Sequence, residues 1–165
     1  MLHNKRVTIL GGSRGIGLAV AHAAVRDGDQ VIIASSRREN VTSAAQGFSN
    51  GAATGAVVGL RSGESIAEFL AKLGAFDHLV FTAGEPLPPG TPVAETDLVR
   101  ARGLFESRYW GAVAAVKAAR AHMRDGGSIV LTNGTSARRR PASFAFAAST
   151  CGAIEPLTRA LARAL

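Results

Sequence analysis

The segment VTILGGSRGIG, residues 7–17, decides how the rest of the chain is interpreted. In it the glycines Gly11, Gly15 and Gly17 follow a short apolar run, and an amphipathic stretch begins directly after them. A strand that passes through a glycine turn into a helix N-terminus leaves backbone amides open to an anion, and the helix end adds partial positive charge. The G-x-x-x-G-x-G spacing differs from the commoner G-x-G-x-x-G. The segment therefore predicts a phosphate-binding turn of a less common type.

The composition is that of a single globular domain, which we expect to span residues 1–165. Of the 165 residues, 47% are hydrophobic and 19% are charged, so the chain can bury a sizeable core. No apolar run is long enough to cross a bilayer, and Cys151 is the only cysteine, so no disulfide can form within the chain. The four histidines are scattered without metal-ligand spacing. We therefore expect a cytoplasmic protein with no membrane partner and no metal.

The charge balance leaves two interpretations open. The net charge is +7, and consecutive arginines stand at residues 138–140. Such an excess can mark an anionic partner such as nucleic acid, or it can belong to a solvated basic loop in an arginine-rich chain. No helix-turn-helix, zinc-finger or aromatic–basic RNA-binding pattern accompanies the arginines. We favour the basic loop and predict no nucleic-acid partner.

Strand-like and helix-like segments alternate along the chain. Apolar, β-branched runs predict strands at residues 6–10, 30–34, 56–60, 78–82 and 128–132. Amphipathic patterns predict helices from residue 16 to the turn at 27–29, over 66–73, over 104–123 and from about 149 to the end. Residues 44–54 carry no clear signal, and 86–92 read as a proline-rich loop. The alternation favours an α/β fold, in which helices cover both faces of a parallel sheet.

Several short motifs resemble, in order, those of the short-chain dehydrogenase/reductase family over essentially the whole chain. Residues 10–17 match its glycine-rich turn with leucine in place of threonine, residues 81–84 (FTAG) stand where the family has Asn-Asn-Ala-Gly, and residues 127–130 (GSIV) match its fifth strand. Residues 147–149 and 157–162 match its fifth long helix. The resemblance implies a Rossmann-like, doubly wound sheet of five strands in the order 3-2-1-4-5. Family members continue into further strands and a substrate-covering segment, so we expect a C-terminally shortened member.

The resemblance implies a nicotinamide cofactor, and the residues after the second predicted strand indicate which one. Enzymes that use NAD have an acidic residue there to bind the ribose hydroxyls, whereas this chain has Ser36, Arg37 and Arg38. Arginine forks bind a 2′-phosphate, and Arg14 in the glycine-rich turn can join them. The alternative is that Arg37 and Arg38 only solvate a loop. We predict NADP(H) binding by Gly11, Ser13, Arg14, Gly15, Ile16, Gly17, Ser36, Arg37, Arg38, Leu60, Ala83 and Gly84.

The tyrosine and lysine that the family uses for proton transfer are missing. The resemblance places its Tyr-x-x-x-Lys pair at Phe146 and Thr150, which carry neither a phenol nor an amine. The only tyrosine is Tyr109, and no lysine follows Lys117, so no other alignment restores the pair. A positioned general acid is worth about a hundredfold to ten-thousandfold in rate. A reaction at this site would therefore need other groups to stabilise the charge that develops.

Asn133 and Arg108 are the candidate catalytic residues, because they fall at the positions of the family's serine and asparagine. The Asn133 amide can donate to a developing oxyanion, and Arg108 can supply a fixed positive charge. Because arginine stays protonated, this pair suits a substrate that needs charge stabilisation more than proton transfer, such as a conjugated enone. The alternatives are structural: Asn133 caps the turn after its strand, and Arg108 pairs with a carboxylate such as Glu106 or Asp97.

Three functions stay open at this point. The first is a divergent NADP(H)-dependent oxidoreductase that acts on an unknown small carbonyl, alcohol or enone. The second is a domain that binds the dinucleotide without turnover, and the third is a truncated family member with an incomplete site. The intact glycine-rich turn and the missing acid are compatible with all three, and we favour the oxidoreductase.

Small apolar residues recur at helical spacing in the second half of the chain, at Ala112, Val113, Ala115, Val116 and Ala119. Such a face suits close helix packing. In the family that the chain resembles, helices of this region form a dimer surface, which predicts a homodimer or homotetramer. The alternative is that the same residues are ordinary core.

Overall fold

The computed structural model describes residues 4–85, 91–139 and 142–164. At its centre is one parallel sheet, whose strands are β1 (Arg6–Leu10), β2 (Gln30–Ser35), β3 (Ala53–Val57), β4 (Phe76–Phe81) and β5 (Met123–Leu131). The strands lie in the order β3-β2-β1-β4-β5, and every neighbouring pair is parallel. The predicted doubly wound, Rossmann-like sheet is confirmed.

The α-helices of the described part connect and cover these strands. They are α1 (Gly15–Arg26), α2 (Arg38–Gln46), α3 (Gly63–Leu73), α4 (Leu98–Phe105), α5 (Gly111–Ala119) and α6 (Ala145–Leu161). A π-helical turn over Glu106–Trp110 joins α4 to α5, and short 3₁₀ turns occur at Ser49–Gly51, Val93–Glu95, Thr135–Ala137 and Ala142–Phe144.

Two clusters of buried apolar residues hold the helices against the sheet, one on each face. On the first face, Ala21 of α1 packs with strand residues such as Ile9. On the second face, Leu70 of α3 and Ala115 of α5 pack with strand residues such as Leu79. Strands that are buried on both faces are apolar along their whole length, which explains why they could be recognised in the sequence. The carboxyl ends of the strands remain open to form a site.

The third strand is displaced from its predicted position by three residues, since the prediction covers residues 56–60. Beyond the strand end, Val58 and Leu60 are buried in the core, so their apolar character reflects a buried loop instead of a strand. Close packing against α2 explains why a small residue lies inside β3. A methyl group on Gly55 would lie 2.5 Å from Cγ1 of Val41, which belongs to α2.

The helix predicted over residues 104–123 is continuous, but it runs from Leu98 to Ala119 and contains the π-helical turn between α4 and α5. Helix α4 begins earlier, at Leu98, where the Asp97 carboxylate accepts a hydrogen bond of 2.8 Å from the Val99 amide and caps the helix. Helix α5 ends at Ala119 instead of residue 123. The π-helical turn carries Arg108, so the irregularity lies at a predicted site residue.

Residues 125–127, between the predicted helix over 104–123 and the predicted strand at 128–132, lie inside β5 as a bulge. Met123 pairs with Phe76 and Ser128 pairs with His78, so β5 contains more residues than β4 over the same length of ladder. Gly126 accommodates the bulge with a φ of +75°, a conformation that glycine adopts without strain.

Other predicted boundaries differ by a few residues or fall outside the description. Helix α6 begins at Ala145, before the predicted start near residue 149, and α2 occupies the first part of the unassigned stretch 44–54. Residues 86–90 of the proline-rich loop, and Arg140 of the basic run, lie outside the described residues. Within the described residues, no helix combines the length and the apolar character that crossing a membrane requires.

The small residues of α5 face the interior of the chain. Ala112, Ala115, Val116 and Ala119 are all buried, and α5 packs against α3. These contacts favour the alternative that this face is ordinary core. The homodimer or homotetramer stays a prediction without this support.

Asp77 forms a cluster of polar contacts at the amino ends of the strands, away from the open carboxyl ends. Its carboxylate accepts hydrogen bonds from the Arg6 amide at 2.8 Å and from the Arg124 guanidinium at 2.9 Å, and the Lys5 ammonium lies 3.6 Å away. The pKa of Asp77 is lowered, chiefly by the Arg6 amide; burial opposes this shift, and the charges of Arg124 and Lys5 add to it.

Candidate functional site

A cavity of about 1000 Å³ lies at the carboxyl ends of the strands. Its walls come from the β1–α1 turn, the end of β2, the β3–α3 loop, the residues after β4, the π-helical turn, the end of β5 and helix α6. In doubly wound sheets this edge is where ligands bind, at the point where the strand order reverses. The cavity is therefore the candidate site.

The β1–α1 turn has a shape that only glycine permits at two positions. Gly11 has a φ of +95°, and a methyl group on it would lie 2.5 Å from the amide nitrogen of Ala83. A methyl group on Gly17 would meet the carbonyl oxygen of Gly11 and would lie 2.5 Å from the hydroxyl of Thr82. That hydroxyl donates to the Gly11 carbonyl at 3.0 Å. The glycines thus let α1 approach β4 closely and leave the floor of the cavity free of side chains.

The first turn of α1 offers unpaired amides to an anion. The amide of Leu18 donates to the carbonyl of Arg14, so the amides before it at residues 15–17 have no acceptor within their own helix. Arg14 precedes the helix without a side-chain cap, and the first turn contains no acidic residue. A phosphate would find both hydrogen-bond donors and the positive end of the helix dipole here.

Basic side chains flank this turn at the end of β2. Arg14 and Arg37 are exposed and line the cavity together with Ser36, and neither guanidinium has a partner within the described residues. Arg38 is exposed as well, but it is the first residue of α2 and does not line the cavity. The geometry thus assembles two of the three predicted arginines beside the helix N-terminus.

Residues after β3 and β4 form the middle of the cavity. Leu60 lines it although the residue is buried in the core. The next residue, Arg61, forms an ion pair of 2.9 Å with Glu85, which follows the predicted Ala83-Gly84 pair. Both charged residues line the cavity. The sequence-based prediction missed them, and the signal that could have found them is their place directly after a strand end.

Arg108 packs closely against Gly84, where a methyl group would be 2.8 Å from the guanidinium carbon. One of its terminal nitrogens donates to the carbonyl of Glu85 at 2.6 Å, and its Nε is buried without a partner. The alternative that Arg108 pairs with Glu106 or Asp97 is wrong, since its guanidinium is held by the Glu85 backbone. The guanidinium therefore has N–H groups that no described residue accepts from, and the residue lines the cavity.

Asn133 connects the end of β5 to α6. Its amide nitrogen donates to the carbonyl of Cys151 at 2.9 Å, and its amide oxygen accepts from the Gly134 amide at 2.8 Å. These contacts favour the alternative in which Asn133 has a structural role after its strand. Because an amide carries two N–H groups, one of them stays available at the cavity wall.

The helix α6 presents Cys151 to the cavity, and not the predicted positions Phe146 and Thr150. Thr150 is fully buried, and its hydroxyl donates to the Phe146 carbonyl at 2.8 Å. Cys151 lines the cavity, and a methyl group on Gly134 would lie 3.0 Å from its sulfur. The position of Cys151 favours an alignment of the missing pair at Ala147 and Cys151 instead of Phe146 and Thr150. Ala147 and Cys151 lack a phenol and an amine too.

The structure brings most predicted site residues to one cavity. Both candidate catalytic residues line it, and so do all predicted cofactor-binding residues except Arg38. Their contact with a cofactor stays a prediction. The missed lining residues include Asn40, Arg61, Ser62, Glu85, Arg100, Ser107 and Cys151. Among the described residues, no group of three or more His, Cys, Asp or Glu is placed to hold a metal ion.

Comparison with known proteins now defines the class to which this fold and site belong. The family model for short chain dehydrogenases matches residues 5–165, so the chain belongs to the short-chain dehydrogenase family. Among curated relatives, the short-chain dehydrogenase/reductase ucsE of Acremonium sp is 30% identical over 185 residues, which cover 99% of this chain and 69% of ucsE. The relative fsr5 of Gibberella fujikuroi is 32% identical over 149 residues, or 81% of this chain and 56% of fsr5. The chain therefore spans little more than half of fsr5.

Solved structures of the same class have the same fold. A short chain dehydrogenase from Burkholderia cenocepacia, solved in complex with NADP, is 27% identical with a TM-score of 0.91, and the match covers 99% of this chain and 69% of that one. BdcA, solved in complex with NADPH, is 28% identical with a TM-score of 0.88 over 98% of this chain and 65% of BdcA.

Proposed function

We propose that this chain is an NADP(H)-dependent oxidoreductase domain, spanning residues 1–165, in which the family's proton-transfer residues are replaced. The observation that carries the proposal is the single cavity that joins the open glycine turn, two unpaired arginines and a third, partly unsatisfied arginine. Two solved structures that are 27% and 28% identical to this chain contain NADP and NADPH, which supports the choice of cofactor.

The residues of the cavity fit the two negatively charged parts of NADP(H), the pyrophosphate and the 2′-phosphate. The free amides at residues 15–17 would hold the pyrophosphate, because glycine leaves no side chain between them and the ligand. Arg14 and Arg37 would bind the 2′-phosphate with charge-assisted hydrogen bonds, and no carboxylate at the end of β2 opposes them. The backbone of Ala83 and Gly84 would pass close to the sugar. Arg38 is left out of this assignment because it does not line the cavity.

When bound, the reduced cofactor supplies a hydride to an electrophilic carbon. Arg108 and the free amide proton of Asn133 are the candidate donors at the other end of the cavity. Fixed donors of this kind stabilise the negative charge that develops on a substrate oxygen. Because neither group releases a proton readily, the proton would come from solvent, and a conjugated enone suits this arrangement better than a simple ketone.

A second candidate function is a domain that binds the dinucleotide without turnover. The observation that favours it is that Asn133, Gly134 and Cys151 line the cavity on β5 and α6, the segments on which the resemblance places the family's reacting side chains. The first N–H group of Asn133 is already committed to the Cys151 carbonyl. Binding at the first half of the cavity does not depend on these residues.

A titration followed by a turnover assay separates the two functions. We expect calorimetry to show NADPH binding at least about tenfold tighter than NADH, since one or more charge-assisted hydrogen bonds to the 2′-phosphate are lost with NADH. Binding of NADPH without oxidation across a panel of carbonyls and enones would favour the binding domain. If an enone is reduced, we expect Arg108→Ala and Asn133→Ala each to lower kcat. Unchanged turnover in both variants would exclude their proposed roles.

A further inference from the structure

The charges that line the cavity do not balance. Arginines contribute five guanidinium groups, at residues 14, 37, 61, 100 and 108, whereas Glu85 contributes the only carboxylate among the described residues that line it. Arg14 and Arg37 lie beside the helix N-terminus, where the proposed function places the cofactor phosphates. Arg61 is paired with Glu85 at 2.9 Å. The other end of the cavity carries Arg108, and it also carries Arg100, which shares a smaller cavity with Glu95 and Asp97.

Arg108 has donors that no group in the described residues uses. Its contact with the Glu85 carbonyl occupies one of the five N–H groups of a guanidinium, and its buried Nε has no partner. Because the Nε is buried, the donors that a ligand in the cavity could reach are the remaining N–H groups of the terminal nitrogens. The side chain also packs closely against Gly84.

Arg100 connects the large cavity to a smaller one of about 250 Å³ between α4 and the start of α6, because it lines both. The side chain is exposed and has no ion-pair partner within the described residues. The smaller cavity has an apolar wall formed by Leu104, Phe144 and Phe146. It offers space for the body of a ligand whose charged group lies near Arg100.

The acidic residues of the smaller cavity would determine the orientation in which such a ligand binds. Glu95 and Asp97 line it, and Asp97 is committed to the α4 cap through the amides of Val99 and Arg100. Their negative charge would repel an anionic group from this end. A ligand with one anionic group and an apolar body would therefore point its charge toward Arg108 and its body toward the aromatic wall.

We propose that Arg100 and Arg108 bind the carboxylate of a substrate that carries an aromatic or similarly apolar body. The proposal rests on the proposed function, since it assigns the cofactor phosphates to Arg14 and Arg37. An arginine fork matches a carboxylate with two parallel hydrogen bonds, which an amide of the same shape cannot reproduce. The end of the cavity that carries Arg100 and Arg108 would therefore take substrates with one anionic group and an apolar body.

The test measures binding of trans-cinnamate and of its neutral amide, cinnamamide, to the full chain by calorimetry, with and without NADPH. Cinnamate combines a carboxylate, a conjugated double bond and an aromatic ring. We expect cinnamate to bind at least about tenfold more tightly than cinnamamide, and its affinity to fall as the salt concentration rises.

Variants locate the site. Arg100→Ala and Arg108→Ala are each expected to weaken cinnamate binding by about tenfold to a hundredfold. Arg108→Lys keeps the charge but removes the fork, so it should restore only part of the affinity and also guards against a folding defect in the alanine variant. Arg102→Ala is the matched control, because Arg102 is an exposed arginine of α4 that lines neither cavity. We expect it to change the affinity by less than about twofold.

The outcomes separate this proposal from the proposed function. Equal binding of cinnamate and cinnamamide, or cinnamate binding that Arg100→Ala and Arg108→Ala leave unchanged, would overturn the carboxylate site. Loss of NADPH affinity in Arg108→Ala, without cinnamate binding to the unmodified chain, would overturn it too, because Arg108 would then serve the cofactor phosphates. Cinnamate binding that follows both arginines while NADPH fails to bind would support the carboxylate site and overturn the proposed function.

Discussion

The two ends of the same parallel sheet treat charge in opposite ways. At the amino ends, the carboxylate of Asp77 is enclosed by the Arg6 amide, Arg124 and Lys5. At the carboxyl ends, Arg14 and Arg37 have no partner within the described residues, and the glycine turn leaves amides open. The first arrangement satisfies a buried charge within the fold, whereas the second leaves exposed charges and amides to water or to a ligand. Charges that the fold leaves unpaired at the cavity therefore indicate what the site binds.

The largest effect is expected from a change that closes the open turn. In Gly17→Ala the new methyl group would meet the Gly11 carbonyl and the Thr82 hydroxyl, so α1 must move away from β4. We expect the affinity for NADPH to fall more than about a hundredfold in calorimetry, because several backbone hydrogen bonds to the pyrophosphate are lost together. Thermal unfolding should show a lower Tm as well.

The control for this variant is Gly152→Ala in α6. A methyl group on Gly152 would meet nothing within 4 Å. Alanine in a helix interior is expected to stabilise the chain by about 0.5–1 kcal/mol and to leave NADPH binding unchanged. A Gly17→Ala protein that binds NADPH as the unmodified chain does would show that the close approach of α1 is not needed for binding.

A smaller and more selective effect is expected from the arginines beside the turn. Arg37→Ala should weaken NADPH binding by about tenfold to a hundredfold and leave NADH binding unchanged, because only NADPH carries the 2′-phosphate. Arg38→Ala should have little effect, since Arg38 does not line the cavity. Arg26→Ala, at the far end of α1, controls for the loss of one positive charge. Equal losses for NADPH and NADH in Arg37→Ala would contradict the assignment of Arg37.

The smallest effect on the cofactor is expected from the opposite end of the sheet. Asp77→Asn should lower the free energy of unfolding by about 1–3 kcal/mol near pH 7, because it weakens charge-assisted hydrogen bonds, while NADPH affinity stays unchanged. The pKa of Asp77 is lowered in the folded chain relative to 3.8. Its contribution is therefore complete above pH 3.8 and disappears as the pH falls through the folded pKa.

Urea unfolding of both proteins over a range of pH values checks this prediction. Asp125→Asn is the control, since the Asp125 side chain is exposed and makes no ion pair within the described residues. A stability difference between Asp77→Asn and the unmodified chain that stays constant down to acid pH would show that the Asp77 charge does not act as described. A loss of NADPH affinity would show that the two ends of the sheet are not independent.

Sequence reasoning predicted the fold well because the central strands β1, β2 and β4 are buried along their length and give continuous apolar runs. It was less successful where burial and strand pairing do not coincide. Val58 and Leu60 are apolar because their loop is buried, so the pattern displaced β3 by three residues. The bulge at Gly126 resembles a turn because it requires the same glycine conformation, although it lies inside β5.

The sequence predicted the part of the candidate site around the glycine turn, but it predicted the part around α4, the β3–α3 loop and α6 only incompletely. The glycine turn and the arginines after β2 are local in sequence, so their spacing carries the information. Arg61 and Arg100 reach the cavity through packing between distant segments, which no local pattern records. The exchange of Thr150 for Cys151 at the cavity wall reflects helix geometry, since adjacent helical residues point about 100° apart.

The most direct test of the central claim is a crystal structure of this chain with NADPH bound. We expect the pyrophosphate to lie over the amides of residues 15–17 and the 2′-phosphate to lie within hydrogen-bond distance of Arg14 or Arg37. A structure in which the turn between β1 and α1 stays empty, or in which the nucleotide lies away from the carboxyl ends of the strands, would contradict it.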